Sequence, residues 1–176
     1  MEKKNKLLVV VDMQNDFVGG SLGSPAAKAI VDKVCKKIDG WDGYTCFTFD
    51  THYEDYLETV EGAHIPVEHC INETTGWQLT DEVEKRRTED SFVVYKDTFG
   101  AIDLIQMVQY LDIKEIQLIG LCTDICVVSN ALLLRAAAPN ANISGDASCC
   151  AGTSPENHRA ALQIMKQCCV DIVNDD

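Results

Sequence analysis

Apolar residues in this chain fall into short, near-continuous runs, separated by stretches in which they recur every third or fourth position. Six runs read as strands: Leu7–Val11, Tyr44–Phe49, Phe92–Tyr95, Glu115–Gly120, Asn142–Asp146 and Val170–Val173. The stronger ones are apolar throughout rather than alternating, the pattern of strands covered on both faces. Helical stretches lie between them. Ser24-Pro25 supplies an N-cap and a proline at the first helical position, and Ile30, Val31, Val34 and Ile38 follow at helical spacing. Ser154-Pro155 repeats the signal ahead of Ala160, Ala161, Ile164 and Met165. Ile102–Leu111 and the Ala- and Leu-rich Cys126–Ala138 supply two more helices. Strand-helix alternation of this kind predicts a parallel sheet with helices on both faces.

One stretch breaks the rhythm. Asp50 to Asp90 contains no clear strand and only a short helix near Thr80–Lys85. A connection of that length inside a compact domain is usually functional. No internal repeat, low-complexity segment or linker interrupts the chain, so residues 1–176 are expected to form one domain.

In an open parallel sheet, chemistry collects outside the carboxyl ends of the strands. That rule selects Asp12 after the first strand, Asp50 and His52 after the second, Lys96 after the third and the Cys122–Cys126 turn after the fourth. All of these project to one edge.

Composition narrows the function classes. The chain has 176 residues, 46% hydrophobic and 24% charged, which suits a soluble globular protein. A formal net charge of −13 opposes a nucleic-acid or anionic-membrane partner. No apolar run is long enough for a membrane span, and the basic start at Met1–Lys6 leads to no cleavage signal. Nine cysteines, an odd number without an export signal, are expected to be reduced thiols in the cytoplasm. Cys149-Cys150 and Cys168-Cys169 lack metal-ligand spacing and read as small core-filling residues.

Cys126 sits where a strand ends and a helix begins, and the positive end of the helix dipole would lower its pKa toward the thiolate. Position alone leaves a nucleophile and a buried structural thiol evenly matched. Cys122, one turn earlier, suits a wall or oxyanion-hole residue better. Asp12 interrupts an apolar strand, where a carboxylate needs a partner or a task, and Asp16 is the more natural turn cap. Lys96 at a buried strand end needs an anion. Together Asp12, Lys96 and Cys126 make a cation-assisted base and nucleophile, or else a structural ion pair beside a thiol. Asp50, His52 and His69 form an acceptable ligand set for zinc, iron or manganese, to which Glu61 or His64 could add. His158, inside the last helix, reads as surface decoration.

The chain resembles the cysteine hydrolases of the isochorismatase-like superfamily, which include the nicotinamidases. The resemblance rests on D-x-Q-N-D-F at Asp12–Phe17, D-x-H at Asp50–His52 and P-x-x-H-C at Pro66–Cys70. It continues through K-x-x-F-G at Lys96–Gly100 and G-x-x-T-D-x-C-V at Gly120–Val127. It implies a three-layer α/β/α, Rossmann-like fold with a six-stranded parallel sheet, and a catalytic Asp12, Lys96 and Cys126. It also implies an oxyanion hole from the backbone N–H groups of Cys122 and Cys126, beside a cis peptide at Leu121-Cys122. The metal ligands carried over are Asp50, His52 and His69, with Glu61 near the place where some members use a glutamate; zinc is the metal expected, with iron or manganese as alternatives. Nicotinamidases often place an aromatic residue next to the proline of the P-x-H-C motif. This chain has Ile65 there and one extra residue before His69. Phe17 is then expected to form one pocket wall and Phe99 or Trp77 another, with Leu121 beside them.

The activity so implied is hydrolysis of a small, nicotinamide-like amide to acid and ammonia through a thioester. The expected partners are a small-molecule amide and further copies of the chain, with no nucleic acid and no membrane. Two alternatives stay open. One is another hydrolase of the superfamily, acting on a carbamoyl or ureido amide or an isochorismate-like vinyl ether. The other is a non-catalytic metal-binding domain.

Overall fold

A computed structural model describes residues 5–175. Six strands form a parallel sheet: β1 (Lys6–Val11), β2 (Tyr44–Asp50), β3 (Phe92–Lys96), β4 (Glu115–Leu121), β5 (Asn142–Ala151) and β6 (Asp171–Val173). Their order across the sheet is β3-β2-β1-β4-β5-β6. The chain winds outward from β1 through β2 to β3, then returns to the other side of β1 for β4. The switch point therefore lies between β1 and β4, where the crossovers diverge and leave a crevice at the carboxyl edge. Asp12 leaves one side of that crevice and the Cys122–Cys126 segment leaves the other.

The helices are α1 (Asn15–Val18), α2 (Pro25–Asp39), α3 (Val60–His64), α4 (Asp81–Glu84), α5 (Asp103–Tyr110), α6 (Val128–Ala137) and α7 (Pro155–Gln167). Strand alternation distributes them over the two faces. Leu7, Val9 and Val11 of β1 pack with Leu104 of α5, Leu134 of α6 and Met165 of α7. Leu8 and Val10 turn the other way, toward Phe17, Ile30, Val34 and Val83 from α1, α2 and α4. Both Ser-Pro starts form as expected: Ser24 Oγ accepts from Ala27 N at 3.0 Å and Ser154 Oγ from Asn157 N at 3.1 Å.

The structure corrects several expectations. β5 runs five residues past Asp146 to Ala151. Its second half, Ala147–Ala151, is built of small residues without the β-branched signature, and its pairing with β4 shifts register between Leu118 and Gly120. Gly120 at that shift has φ +117, and a Cβ there would stand 2.1 Å from Val11 O, so only glycine lets β4 pass so close to β1. The connection after β2 is more ordered than its sequence suggests. It holds a 3₁₀ turn at Tyr56–Glu58, then α3 and α4, and bridges His52 to Ile71 and Gln14 to Leu79. Elements of three to five residues lie below the length at which periodicity is visible.

Cysteine placement is also mixed. Cys149 and Cys150 are buried and join opposite core faces, as adjacent strand residues must. Cys168 and Cys169 are exposed instead of core-filling, because the chain reverses there, with Cys169 at φ +62 and Val170 N returning to Met165 O.

Asp146, fully buried in β5, holds the lower part of the sheet to its neighbours. Its carboxylate meets Lys37 Nζ of α2 at 2.7 Å, Asn174 Nδ2 at 3.0 Å, and both N (3.1 Å) and Oγ (2.8 Å) of Ser148. Burial alone would raise its pKa, but Lys37, Asn174 and Ser148 outweigh it and hold it below the ordinary value. A depressed carboxylate stabilises the fold above its unfolded pKa and loses that contribution as pH falls through the folded value. Asp146→Ala is expected to cost about 1–3 kcal/mol at pH 7, measured by urea unfolding. The gap to the unsubstituted protein should narrow below about pH 4.

Candidate active site

Three side chains from three strand ends meet at the carboxyl edge. Asp12 follows β1, Lys96 ends β3 and Cys126 lies just beyond β4, and all are buried. Lys96 Nζ stands 2.8 Å from Asp12 Oδ2, 2.8 Å from Asp50 Oδ1 and 3.5 Å from Cys126 Sγ. The ammonium thus donates to Asp50 and to the sulfur and forms an ion pair with Asp12. Asp12 is itself bent into the site, with φ +46, and its charge acts on the Cys126 thiol.

Electrostatics in this dry pocket differ from the expectation of a depressed thiol. Burial pushes the Cys126 thiol well up, Lys96 opposes that, and Asp12 and Asp50 add to it. The turn Thr123–Val127 that carries Cys126 is a π-helical turn ahead of α6, so the thiol enters α6 from a widened turn rather than from its first regular one. Burial also raises the Asp12 carboxyl, against Lys96 and Thr48, which makes it a stronger base than an ordinary aspartate. Lys96 stays firmly charged, since Asp12, Cys126 and Asp50 overcome its burial. A cation, a strengthened base and a thiol in contact are the ingredients of proton transfer to a carboxylate with the resulting thiolate held beside an ammonium.

The other oxygen of Asp50 opens a second cluster. Asp50 Oδ2 lies 3.0 Å from His52 Nε2 and 3.3 Å from His69 Nε2, while Glu61 Oε1 lies 3.5 and 3.8 Å from the same nitrogens. One ligand atom from each of Asp50, His52, Glu61 and His69 falls within 4.8 Å of all the others. Edges of this size suit a cation with bonds of about 2.0–2.1 Å, and two imidazoles with two carboxylates suit zinc, iron or manganese. His69 Nδ1 contacts Val67 O at 2.7 Å, an outer bond that leaves Nε2 turned to the cluster. Burial works against a charge on His52, yet Asp50 and Glu61 lift its pKa to about 9. The cradle attracts positive charge, and the residues therefore fit a divalent metal. His64 stands apart from the cluster, exposed, with Nδ1 on Val60 O.

Both groups face a cavity of about 430 Å³. Phe17, Phe99, Leu121, Cys122 and Cys126 line it with Asp50, Glu61, Ile65 and His69. Phe17 meets the His69 ring edge-on at 5.4 Å. Trp77 is not a wall: it packs between Phe49 and Tyr95 and donates Nε1 to Thr51 Oγ1. His158 is not decoration either, being half-buried with Nδ1 2.8 Å from Thr123 Oγ1 beside the π-turn. The Leu121-Cys122 peptide is cis.

Several supporting residues escaped sequence reasoning. Gln14 accepts from Asp50 N and donates to Asp50 O and Trp77 O, each at 2.8 Å, fixing the strand end that carries Asp50. Asn130 donates to Cys126 O and Phe99 O and accepts from Ala101 N. Thr48 hydrogen-bonds Asp12 twice. For Asn130 and Thr48 a polar residue inside a helix or an apolar strand was the only signal, while Gln14 stands in the D-x-Q-N-D-F motif with no role assigned to it.

The family model of the isochorismatase domain matches residues 6–176. The chain is 27% identical over 193 residues to the nicotinamidase/pyrazinamidase of Mycobacterium tuberculosis, spanning 96% of this chain and 98% of that protein. It is 24% identical over 207 residues to the nicotinamidase of Schizosaccharomyces pombe, spanning 96% and 92%. Among solved structures, the pyrazinamidase of Pyrococcus horikoshii in complex with zinc aligns with a TM-score of 0.82 at 27% identity, over 96% of this chain and 98% of the other.

Proposed function

The chain belongs to the isochorismatase domain family, and on that premise we propose that it is a cysteine-dependent amidohydrolase cleaving a small nicotinamide-like amide to the acid and ammonia. The observation that carries this reading is the contact of Lys96 with both Asp12 and Cys126, in a buried site open to the 430 Å³ cavity. The similarity to nicotinamidase and pyrazinamidase relatives supports the choice of amide. No helix of the described residues is long and apolar enough to cross a membrane.

Asp12 takes the proton of the Cys126 thiol while Lys96 stabilises the thiolate. The thiolate attacks the amide carbon, and the backbone N–H groups of Cys122 and Cys126 hold the oxyanion, each such donor being worth roughly 3–4 kcal/mol. As the C–N bond breaks, Asp12 returns its proton to the nitrogen, ammonia leaves and a thioester remains. Water then adds, giving its proton to Asp12. The C–S bond breaks, Asp12 returns that proton to the sulfur, and the acid departs as the thiol is restored. Asp50, His52, His69 and Glu61 would hold a divalent cation, which when bound supplies a Lewis-acid contact for a substrate nitrogen or a water. Ammonia release over a panel of amides tests the reading; a panel without a single substrate overturns it.

Lys96→Met should lower kcat about 10²- to 10³-fold, because Asp12 and Asp50 then confront each other without the cation between them. Lys96→Arg should not restore activity, since a planar guanidinium cannot replace a compact ammonium in this buried space. Single-turnover ammonia release with both variants measures this.

A further inference from the structure

Thr48 is fully buried in the middle of β2, among apolar residues, and nothing in its strand requires a hydroxyl there. Its Oγ1 donates to Asp12 Oδ1 at 2.6 Å and accepts from Asp12 N at 3.2 Å. Both bonds grip one residue, and that residue has its backbone at φ +46, where a side chain is costly unless its surroundings hold it. The two carboxylate oxygens are thereby made unequal. Oδ1 is bound to the Thr48 hydroxyl. Oδ2 is buried, lies against the Lys96 ammonium at 2.8 Å and has no directed hydrogen-bond partner.

From this asymmetry we infer that Thr48 is a positioning residue that assigns the proton of the nucleophile to Asp12 Oδ2. The inference rests on the cysteine mechanism proposed above. A short hydroxyl bond occupies a lone pair of Oδ1 and restrains the carboxyl from turning about its χ2 angle. The remaining oxygen then faces the ammonium of Lys96, which also contacts the Cys126 sulfur, and from there it takes the proton from sulfur and later gives it to the departing nitrogen. The charged and titratable groups electrostatically coupled to Asp12 are Lys96 from β3, Asp50 from β2, Cys126 and Cys122 from the segment after β4, and Cys70 from the long connection. None of them bonds Oδ1, so among the described residues no other group duplicates the hold of Thr48.

Thr48→Val keeps the volume and loses the hydroxyl, Thr48→Ala loses both, and Thr48→Ser keeps the hydroxyl alone. Charge-assisted hydrogen bonds of this kind support a fall in kcat of about 10- to 100-fold in the Val and Ala variants with KM within about twofold, and Thr48→Ser within about threefold of the parent. The same order should hold for alkylation of Cys126 by iodoacetamide, followed by peptide mass spectrometry so that exposed Cys168 and Cys169 are counted separately. Parental kcat and alkylation rates in Thr48→Val or Thr48→Ala would overturn the inference. So would a Thr48→Ser variant as slow as Thr48→Ala, or a loss confined to KM. If Thr48→Val does not fold, Thr48→Ala against Thr48→Ser tests the role of the hydroxyl equally well. A parent that releases ammonia from no amide defeats the proposed function alone, because the alkylation rates still decide the role of Thr48.

Discussion

Cys126→Ala is expected to abolish amide turnover, by at least about 10⁴-fold in kcat, in a protein that still folds. The size of the effect follows from the chemistry: without the sulfur no thioester forms, and water must attack an amide unaided at a site shaped for a thiol. The fold should survive because the change removes a single heavy atom, the sulfur, and takes away no charge, since burial holds the thiol neutral. Cys122→Ala is the comparison. Cys122 also lines the cavity, and burial raises its thiol to about 12, but the ammonium of Lys96 lies against the sulfur of Cys126. Its role in the proposal is through its backbone N–H, which alanine keeps, so Cys122→Ala should retain at least a tenth or so of the parental rate. Ammonia release and thermal melting on both variants decide the matter. Parental turnover in Cys126→Ala sinks the mechanism, and a dead Cys122→Ala beside an active Cys126→Ala identifies the other thiol.

Much of this site was legible before the fold was known, for a physical reason. The runs ending at Val11, Phe49, Tyr95 and Gly120 are apolar enough to be strands covered on both faces, and a parallel sheet sends all their carboxyl ends to one edge. Asp12, Asp50 and Lys96 each follow such a run directly, so alternation and handedness alone bring them together. His69 was harder, because nothing local ties it to β2. It reaches Asp50 through the bridge of His52 to Ile71 and the hydrogen bond of His52 N to Cys70 O, which are tertiary contacts of a connection without periodicity. Trp77 misled for a related reason: an aromatic residue in a loop near the site looks like a wall, and only packing shows that Phe49 and Tyr95 claim it. The direction of the Cys126 pKa could not be read from helix position, since the dipole effect is small beside complete burial among two carboxylates. Thr48 carries no charge and enters the site only through distances, and Gln14, though part of the D-x-Q-N-D-F motif, shows its role only through its bonds to Asp50 and Trp77.

Loss of the metal should be the second large effect. Protein purified without a nickel column is expected to carry close to one equivalent of zinc, iron or manganese by elemental analysis, and chelation should lower amide turnover by at least about 10²-fold. His52→Ala and His69→Ala should each lose the metal and the activity together. Glu61→Ala should do less, because Glu61 is the most exposed of the four and its oxygen stands farther from each imidazole than that of Asp50 does. Asp50 offers no such clean test, since its other oxygen holds Lys96 at 2.8 Å and its removal would disturb the ammonium as well. The competing account of the same cluster is a proton in place of the cation: His52, raised to about 9, would then be an imidazolium paired with Asp50 and Glu61. The two accounts separate at His69→Ala. A metal-free protein whose rate ignores both chelator and that substitution would leave the cluster as a buried ion pair that braces Asp50 against Lys96. A metal lost with His69 means instead that the long connection after β2 is ordered around a cation, with one ligand at its start and another near its middle.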